Sequence, residues 1–179
     1  GLGTRASQIV IEASYELTDP TIDSQILKLK AAGIDTFVEQ SAAKTAAQSI
    51  RKVHELAWKP LHIIGGPTAS VETILKPAGL EASKGLITTQ FLKQPGDPAW
   101  ANDTEVKAYV DFLAKYAPSV HADDYSVLVA YVNVNALGLV LQKCGDNLTR
   151  ENLIKQATSM SGQHLPLMLP GVGMSFTPT

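Results

Sequence analysis

Thr36-Phe37-Val38-Glu39-Gln40-Ser41-Ala42-Ala43 and Pro60-Leu61-His62-Ile63-Ile64-Gly65-Gly66-Pro67 bracket the stretch whose reading decides the fold. Thr36-Phe37-Val38 is a short run of β-formers, the length of a buried strand. Ser41 has the chemistry of a helix N-cap. Beyond it Ala46, Ile50, Val53 and Ala57 fall on one helical stripe. Pro60 to Ile64 reads as the next strand, and Gly65-Gly66-Pro67 stops it.

The same grammar extends upstream. Gln8 to Leu17 reads as a strand centred on Ile9-Val10-Ile11. Asp19-Pro20 then offers an N-cap and a pre-set first helical residue. Ile22, Ile26 and Leu29 make a stripe, and Gly33 ends that helix. Strand, helix, strand, helix, strand at short spacing predicts an α/β chain with parallel strands and right-handed crossovers. The expected strands are 9–13, 36–39 and 61–64, with helices over 22–32 and 44–57. Ligands of such sheets sit beyond the carboxyl ends of the strands. Those ends lie near Leu17, near Gln40 to Ala43 and near Gly65 to Ser70.

After Ser70 the pattern changes. Val71 to Leu75 suggests a short helix and Gly85 to Leu92 a β-branched strand. Residues 93–98, Lys-Gln-Pro-Gly-Asp-Pro, are dense in turn formers and read as a crossing point. Three helices are expected next, over 104–116, 124–143 and 149–160, with Thr149 as an N-cap. Leu165 to Leu169 and Val172 to Phe176 suggest a closing strand pair or a bent strand. Tyr125 to Leu141 carries no charge and is nearly long enough to span a bilayer. Asn133 and Asn135 interrupt it, Gln142 bounds it and no basic flank anchors it, so a mostly buried globular helix over 126–142 is the expectation.

The 179 residues suit one domain or a piece of two, and 45% hydrophobic with 18% charged residues is enough for a core. Fifteen basic against seventeen acidic residues leave a net charge of -2. No basic field exists, which argues against nucleic acid as a partner. One cysteine, Cys144, excludes an internal disulfide and a cysteine zinc site. It sits at the expected helix end before Gly145, where the dipole disfavours a thiolate. His54, His62, His121 and His164 form no i, i+4 pair, so no local metal helix is present. Asp123-Asp124 reads more plainly as a cap than as a metal pair. No Gly-x-Ser-x-Gly elbow and no phosphate loop occur, and Gly1-Leu2-Gly3-Thr4-Arg5-Ala6 has no strand before it. No catalytic set emerges, and neither a metal nor a cofactor is expected.

Two loops suit a small molecule. Gln40-Ser41-Ala42-Ala43 leads into a helix N-terminus, whose N–H groups can meet a carboxylate. Gly65-Gly66-Pro67-Thr68-Ala69-Ser70 combines small residues with hydroxyls. Ordinary strand-to-helix connections have the same composition.

Four stretches carry a family resemblance: Tyr15 to Ile26 (Tyr-Glu-Leu-Thr-Asp-Pro-Thr-Ile-Asp-Ser-Gln-Ile), Trp58-Lys59-Pro60-Leu61-His62, Leu75 to Glu81 (Leu-Lys-Pro-Ala-Gly-Leu-Glu) and Cys144 to Asn152 (Cys-Gly-Asp-Asn-Leu-Thr-Arg-Glu-Asn). Together they resemble the periplasmic solute-binding proteins of branched-chain amino-acid ABC transporters, the leucine-binding-protein type. The resemblance implies a two-lobed α/β fold, each parallel sheet flanked by helices, with a ligand clamped between lobes. It implies that this chain is an incomplete, later portion. Residues 1–92 would be most of the second lobe, 93–163 helical segments of the first, and 164–179 the return to the second. The first half of the first lobe would be missing.

It further implies a periplasmic, non-enzymatic receptor. Its partners would be a small-molecule ligand and a membrane permease, plus the missing first-lobe portion of its own chain. By position, the second-lobe contacts fall on Ser41, Ala42 and Ala43, and on Gly66, Pro67 and Thr68. Amino-acid binders of the family place an aromatic residue where this chain has Ala42 or Ala43, and a glutamate where it has Gly66 to Thr68. The departures point to a wider, less charged pocket, suited to an aromatic or other apolar carboxylate. A ligand-sensing domain of a signalling protein is the alternative that the same architecture allows.

Overall fold

A computed structural model describes residues 3–176. The chain divides into two compact units at Thr89/Gln90, and each is taken by itself.

In the first unit a parallel sheet has the order β1 (Thr36–Glu39), β2 (Leu61–Ile64), β3 (Ile87–Thr88). Thr36 pairs with Leu61 and Ile63 with Ile87. The period-2 alternation turns Phe37, Glu39, His62 and Ile64 inward. Helix α1 (Asp23–Ala31) lays Ile26 and Leu29 against Phe37 and Val53. Helix α2 (Ala43–Glu55) packs Ala46 and Ile50 against Ile74 and Ala78. Those last two come from a π-helical turn, Val71–Leu75, that runs into the short α3 (Lys76–Ala78). The crossover from β1 through α2 to β2 is therefore as the sequence predicts.

The first expected strand is not there. Gly3–Gln8 is a 3₁₀ turn and residues 9–16 are irregular. Ile9 and Val10 are exposed, and only Ile11 and Tyr15 reach the α1 cluster. The segment finds no ladder partner, and a β-prone run without one does not become a strand. Asp19 does not cap α1. It accepts from the Glu16 N–H in a local turn, and Thr21 and Asp23 bond each other at the true start. Of the strand expected over 85–92, only Ile87 and Thr88 join the sheet, and Leu92 makes an isolated bridge.

Helix α2 ends in a Schellman arrangement with an unusual residue. The Trp58 N–H reaches the Val53 carbonyl at 3.1 Å and the Ala57 N–H reaches His54 at 2.9 Å. Ala57 therefore holds φ +47°, where a Cβ is strained. The A57G variant is expected to be more stable by about 0.5–1 kcal/mol, since relief of strain exceeds glycine's entropy cost. Urea denaturation reads it, and a loss of stability would contradict it.

In the second unit α4 (Thr104–Tyr116), α5 (Tyr125–Cys144) and α6 (Arg150–Thr158) follow one another. Asp103, Asp124 and Thr149 cap them through side-chain bonds to the first-turn N–H groups. Leu92, Val106, Tyr109, Leu128, Val132, Leu165 and Leu167 form the core. The expected closing strand pair reduces to isolated bridges, Leu92 with Met168 and Gln163 with Met174. Gly171 and Pro170 lie in the turn between the two segments and keep the ladder short.

Residues 126–142 are one helix, but not a mostly buried one. Leu128, Val132, Val140 and Cys144 face the core, whereas Val134 is 67% exposed and Leu137 and Leu141 are exposed beside it. The helix is apolar on both faces, and this unit supplies a partner for only one. It is long and apolar enough to cross a membrane by length and composition alone, a test that core helices also pass.

Candidate functional site

Two loops meet at the carboxyl edge of the parallel sheet. The Gly65 N–H, just past β2, donates to the Glu39 carbonyl at 3.2 Å, at the end of β1. The Gln40 side chain lies directly against Gly65. This edge is where helix N-termini and strand ends converge in parallel sheets.

Beneath it lies a buried polar network. Glu39 is 6% exposed and His62 is 4% exposed. The Glu39 carboxylate accepts from Ser41 Oγ at 2.5 Å, from Ser49 Oγ at 2.7 Å and from His62 Nε2 at 2.9 Å. A carboxylate only accepts, so His62 presents its Nε2–H to it. The imidazole stacks on Phe37 with centroids 4.5 Å apart. Three donors converging on one buried carboxylate are what make its burial tolerable.

Ser41, Ala42, Ala43, Gly66, Pro67 and Thr68 take up different tasks. Ser41 is half-buried and is not the N-cap; that position belongs to Ala42, whose side chain cannot cap. The Ala42 N–H is met instead by the phenol oxygen of Tyr15 at 2.7 Å. Ala43 is exposed on the first turn of α2. Gly66 and Thr68 are buried in a 3₁₀ turn, where both the Thr68 N–H and Thr68 Oγ1 bond the Gly65 carbonyl, at 3.0 and 2.9 Å. Pro67 is exposed beside them. A cavity of 80 Å³ opens along Tyr15, Val38, Glu39, Gln40, Ser41 and Thr45. That is room for a few waters or for one small polar group of a ligand. Gly66, Pro67 and Thr68 do not line it.

Sequence reasoning missed Tyr15, Glu39 and His62. Alternation in β1 offered a signal, because it puts Glu39 on the same inward face as Phe37. Nothing in the spacing links Tyr15 to a residue 27 positions later. Among the described residues, no group of three or more His, Cys, Asp or Glu is arranged to hold a metal ion.

A family model described as periplasmic binding protein matches residues 4–174. No curated protein matches the chain. Among solved structures, Rhodopseudomonas palustris (strain CGA009) Rp1789 is similar with a TM-score of 0.62 at 19% identity, over 98% of this chain and 51% of that one. At that identity the likeness speaks for the fold alone, and the chain spans about half the length of that structure.

Proposed function

The chain belongs to the periplasmic binding protein family, and from that premise we propose that it is the substrate-binding part of an ABC transporter, taking a small carboxylate-bearing solute. Membership carries a solute-binding role, an extracytoplasmic setting and a generally non-enzymatic character. The permease partner and the carboxylate are the finer reading. One observation supports it most: the loops after β1 and β2 lie side by side at the sheet's carboxyl edge, tied by the Gly65 to Glu39 bond. There the first turn of α2 and a run of small residues admit an anionic group.

In this reading the solute is an amino acid or an aromatic or aliphatic acid, closed over by a second lobe. Closure is a population shift toward the form in which the ligand touches both lobes. Ala42, Ala43, Gly66 and Pro67 are themselves uncharged, and the nearby Glu39 carboxylate is already engaged by Ser41, Ser49 and His62, which favours an apolar acid over one with a buried ammonium group.

A thermal-shift screen of branched and aromatic amino acids against their des-amino acids tests the proposal, because a ligand of the native state raises its melting temperature. If no member of the set shifts the complete protein, the proposal fails. Two variants sharpen it. S41A is expected to weaken binding only about two- to fivefold, because the Ser41 proton is already given to Glu39 and the change acts through the shape of the edge. G66E is expected to weaken a simple carboxylate by about tenfold or more through like-charge repulsion. Isothermal titration separates the two sizes of effect.

A further inference from the structure

The hydroxyl protons at the sheet edge are unequally committed, and this decides which residue can donate to a ligand. Each hydroxyl has one proton and two lone pairs. Ser41 gives its proton to the Glu39 carboxylate at 2.5 Å. Thr68 gives its proton to the Gly65 carbonyl at 2.9 Å, and a carbonyl can only accept. Both therefore offer lone pairs alone to anything that enters, and an incoming carboxylate needs donors.

Tyr15 differs from both, as does Thr45 of α2, whose hydroxyl lines the same cavity. Its phenol oxygen accepts from the Ala42 N–H at 2.7 Å, and among the described residues its own proton has no protein acceptor. Its ring is half-buried against the Ile22, Ile26 and Phe37 cluster, which holds the phenol in place. It lines the 80 Å³ cavity together with Glu39, Gln40 and Ser41, and the Glu39 carboxylate there is already engaged by Ser41, Ser49 and His62. The bond from Ala42 withdraws electron density from the phenol oxygen and strengthens its remaining O–H as a donor, as in any hydrogen-bond chain.

We propose that Tyr15 is a ligand-contact residue, whose O–H donates to an acceptor oxygen of the solute, while Ser41 and Thr68 shape the edge rather than donate. This rests on the reading of the chain as a binder of carboxylate-bearing solutes. It places the solute's oxygen beside Tyr15, at the β1 end of the edge, and the Gly66 to Thr68 turn against another part of the molecule. It also gives the irregular 9–16 segment a role, because that segment brings the phenol to the edge.

The test uses the complete protein that carries residues 1–179, with leucine, phenylalanine, 4-methylpentanoate and 3-phenylpropanoate as probes in isothermal titration. Y15F keeps the ring and removes only the hydroxyl. It is expected to weaken the tightest probe by at least about tenfold, and Y15F is expected to weaken it more than S41A does. The melting temperature of the unliganded Y15F protein, read alongside, reports the loss of the Ala42 bond. A lower melting temperature with affinity within twofold of the parent means that the phenol only braces the loop, which overturns the proposal and leaves the solute-binding reading intact. If the parent binds none of the four probes, both readings fall together. A circular-dichroism spectrum of Y15F like the parent's secures the comparison, and Y15M, which also fills the space without any donor, should repeat the loss if Y15F is poorly folded.

Discussion

Replacing Lys93 by alanine is expected to cost the second unit about 3 kcal/mol. Lys93 is buried, and its ammonium lies 2.7 Å from Asp103 and 2.8 Å from Glu105. It also sits 5.5 Å from the Trp100 ring. Asp103 caps α4 through the Glu105 and Val106 N–H groups, and Glu105 accepts from the Leu167 N–H and from His164. The Lys93 N–H itself reaches the Leu167 carbonyl at 2.7 Å. One ammonium thus ties the 90–93 segment, the start of α4 and the 164–168 segment together. Without it two carboxylates face each other, half-shielded from water. The cost stays at the low end for buried pairs because both carboxylates keep some solvent contact. A K93M/E105Q double variant, which removes opposite charges together, should recover part of the loss. Urea unfolding at constant slope measures it, and a K93A loss below about 1 kcal/mol would show that desolvation cancels the ion pairs.

The same cluster sets a pH window. Burial works against the Lys93 ammonium, but the bonds to Asp103 and Glu105 outweigh it and raise its pKa. The Lys93 hydrogen bond lowers Asp103. Burial tends to raise Glu105, yet Lys93, the Leu167 N–H and His164 prevail and lower it. A lowered carboxylate contributes stability above its unfolded pKa, and loses it as pH falls through the folded value. A raised lysine contributes below its unfolded pKa, and loses it as pH rises through the folded value. Stability is therefore expected to be flat between about pH 5 and 10 as far as this cluster is concerned, and to fall on the acid side below about pH 4. The K93A variant should lose most of the acid-side slope that the cluster contributes. An unchanged profile would place the acid sensitivity elsewhere.

How far such a site can be read in advance depends on the range of the contacts that make it. Helices α2 and α4 were legible because their stripes and ends are local: Ala46, Ile50 and Val53 for α2, and Val106 and Leu113 for α4. Strands β1 and β2 were legible because a helical crossover of fixed length joins them. The 9–13 run was misread because its β-branched content says nothing about a partner, and a strand is defined by its partner. Position alone placed Ser41 in the loop. The network that commits its proton joins Glu39 to His62 across 23 residues and leaves no local mark. The Lys93 cluster is equally silent, since its Leu167 contact lies 62 residues from Glu105. Burial of 126–142 was overread for a related reason: hydropathy shows that a helix can be covered, not which elements cover it.

That question of covering leads to the second large effect, on affinity. The outer face of the sheet exposes Val38, Leu61 and Ile87; Val38 and Ile87 are in register through Ile63, and Leu61 lies on the same side two residues before it. Parallel sheets are ordinarily covered on both faces. Helix α5 likewise shows Val134, Leu137 and Leu141 to solvent. The chain spans about half the length of the Rp1789 structure it resembles, and we propose that the remaining half of a longer protein covers these faces and supplies the other lobe's contacts to the solute. Affinity then comes from both lobes engaging together, and an 80 Å³ cavity holds only part of a ligand. The 179-residue chain is expected to bind the solute at least about 100-fold more weakly than the complete protein, a loss of about 2.7 kcal/mol. Two missing charge-assisted hydrogen bonds to a carboxylate, at about 1.5–3 kcal/mol each, suffice for that. Isothermal titration of the two chains with one solute decides it. Equal affinity would mean that the site lies wholly within these residues, and the Tyr15 edge would then have to be the whole of it rather than one wall.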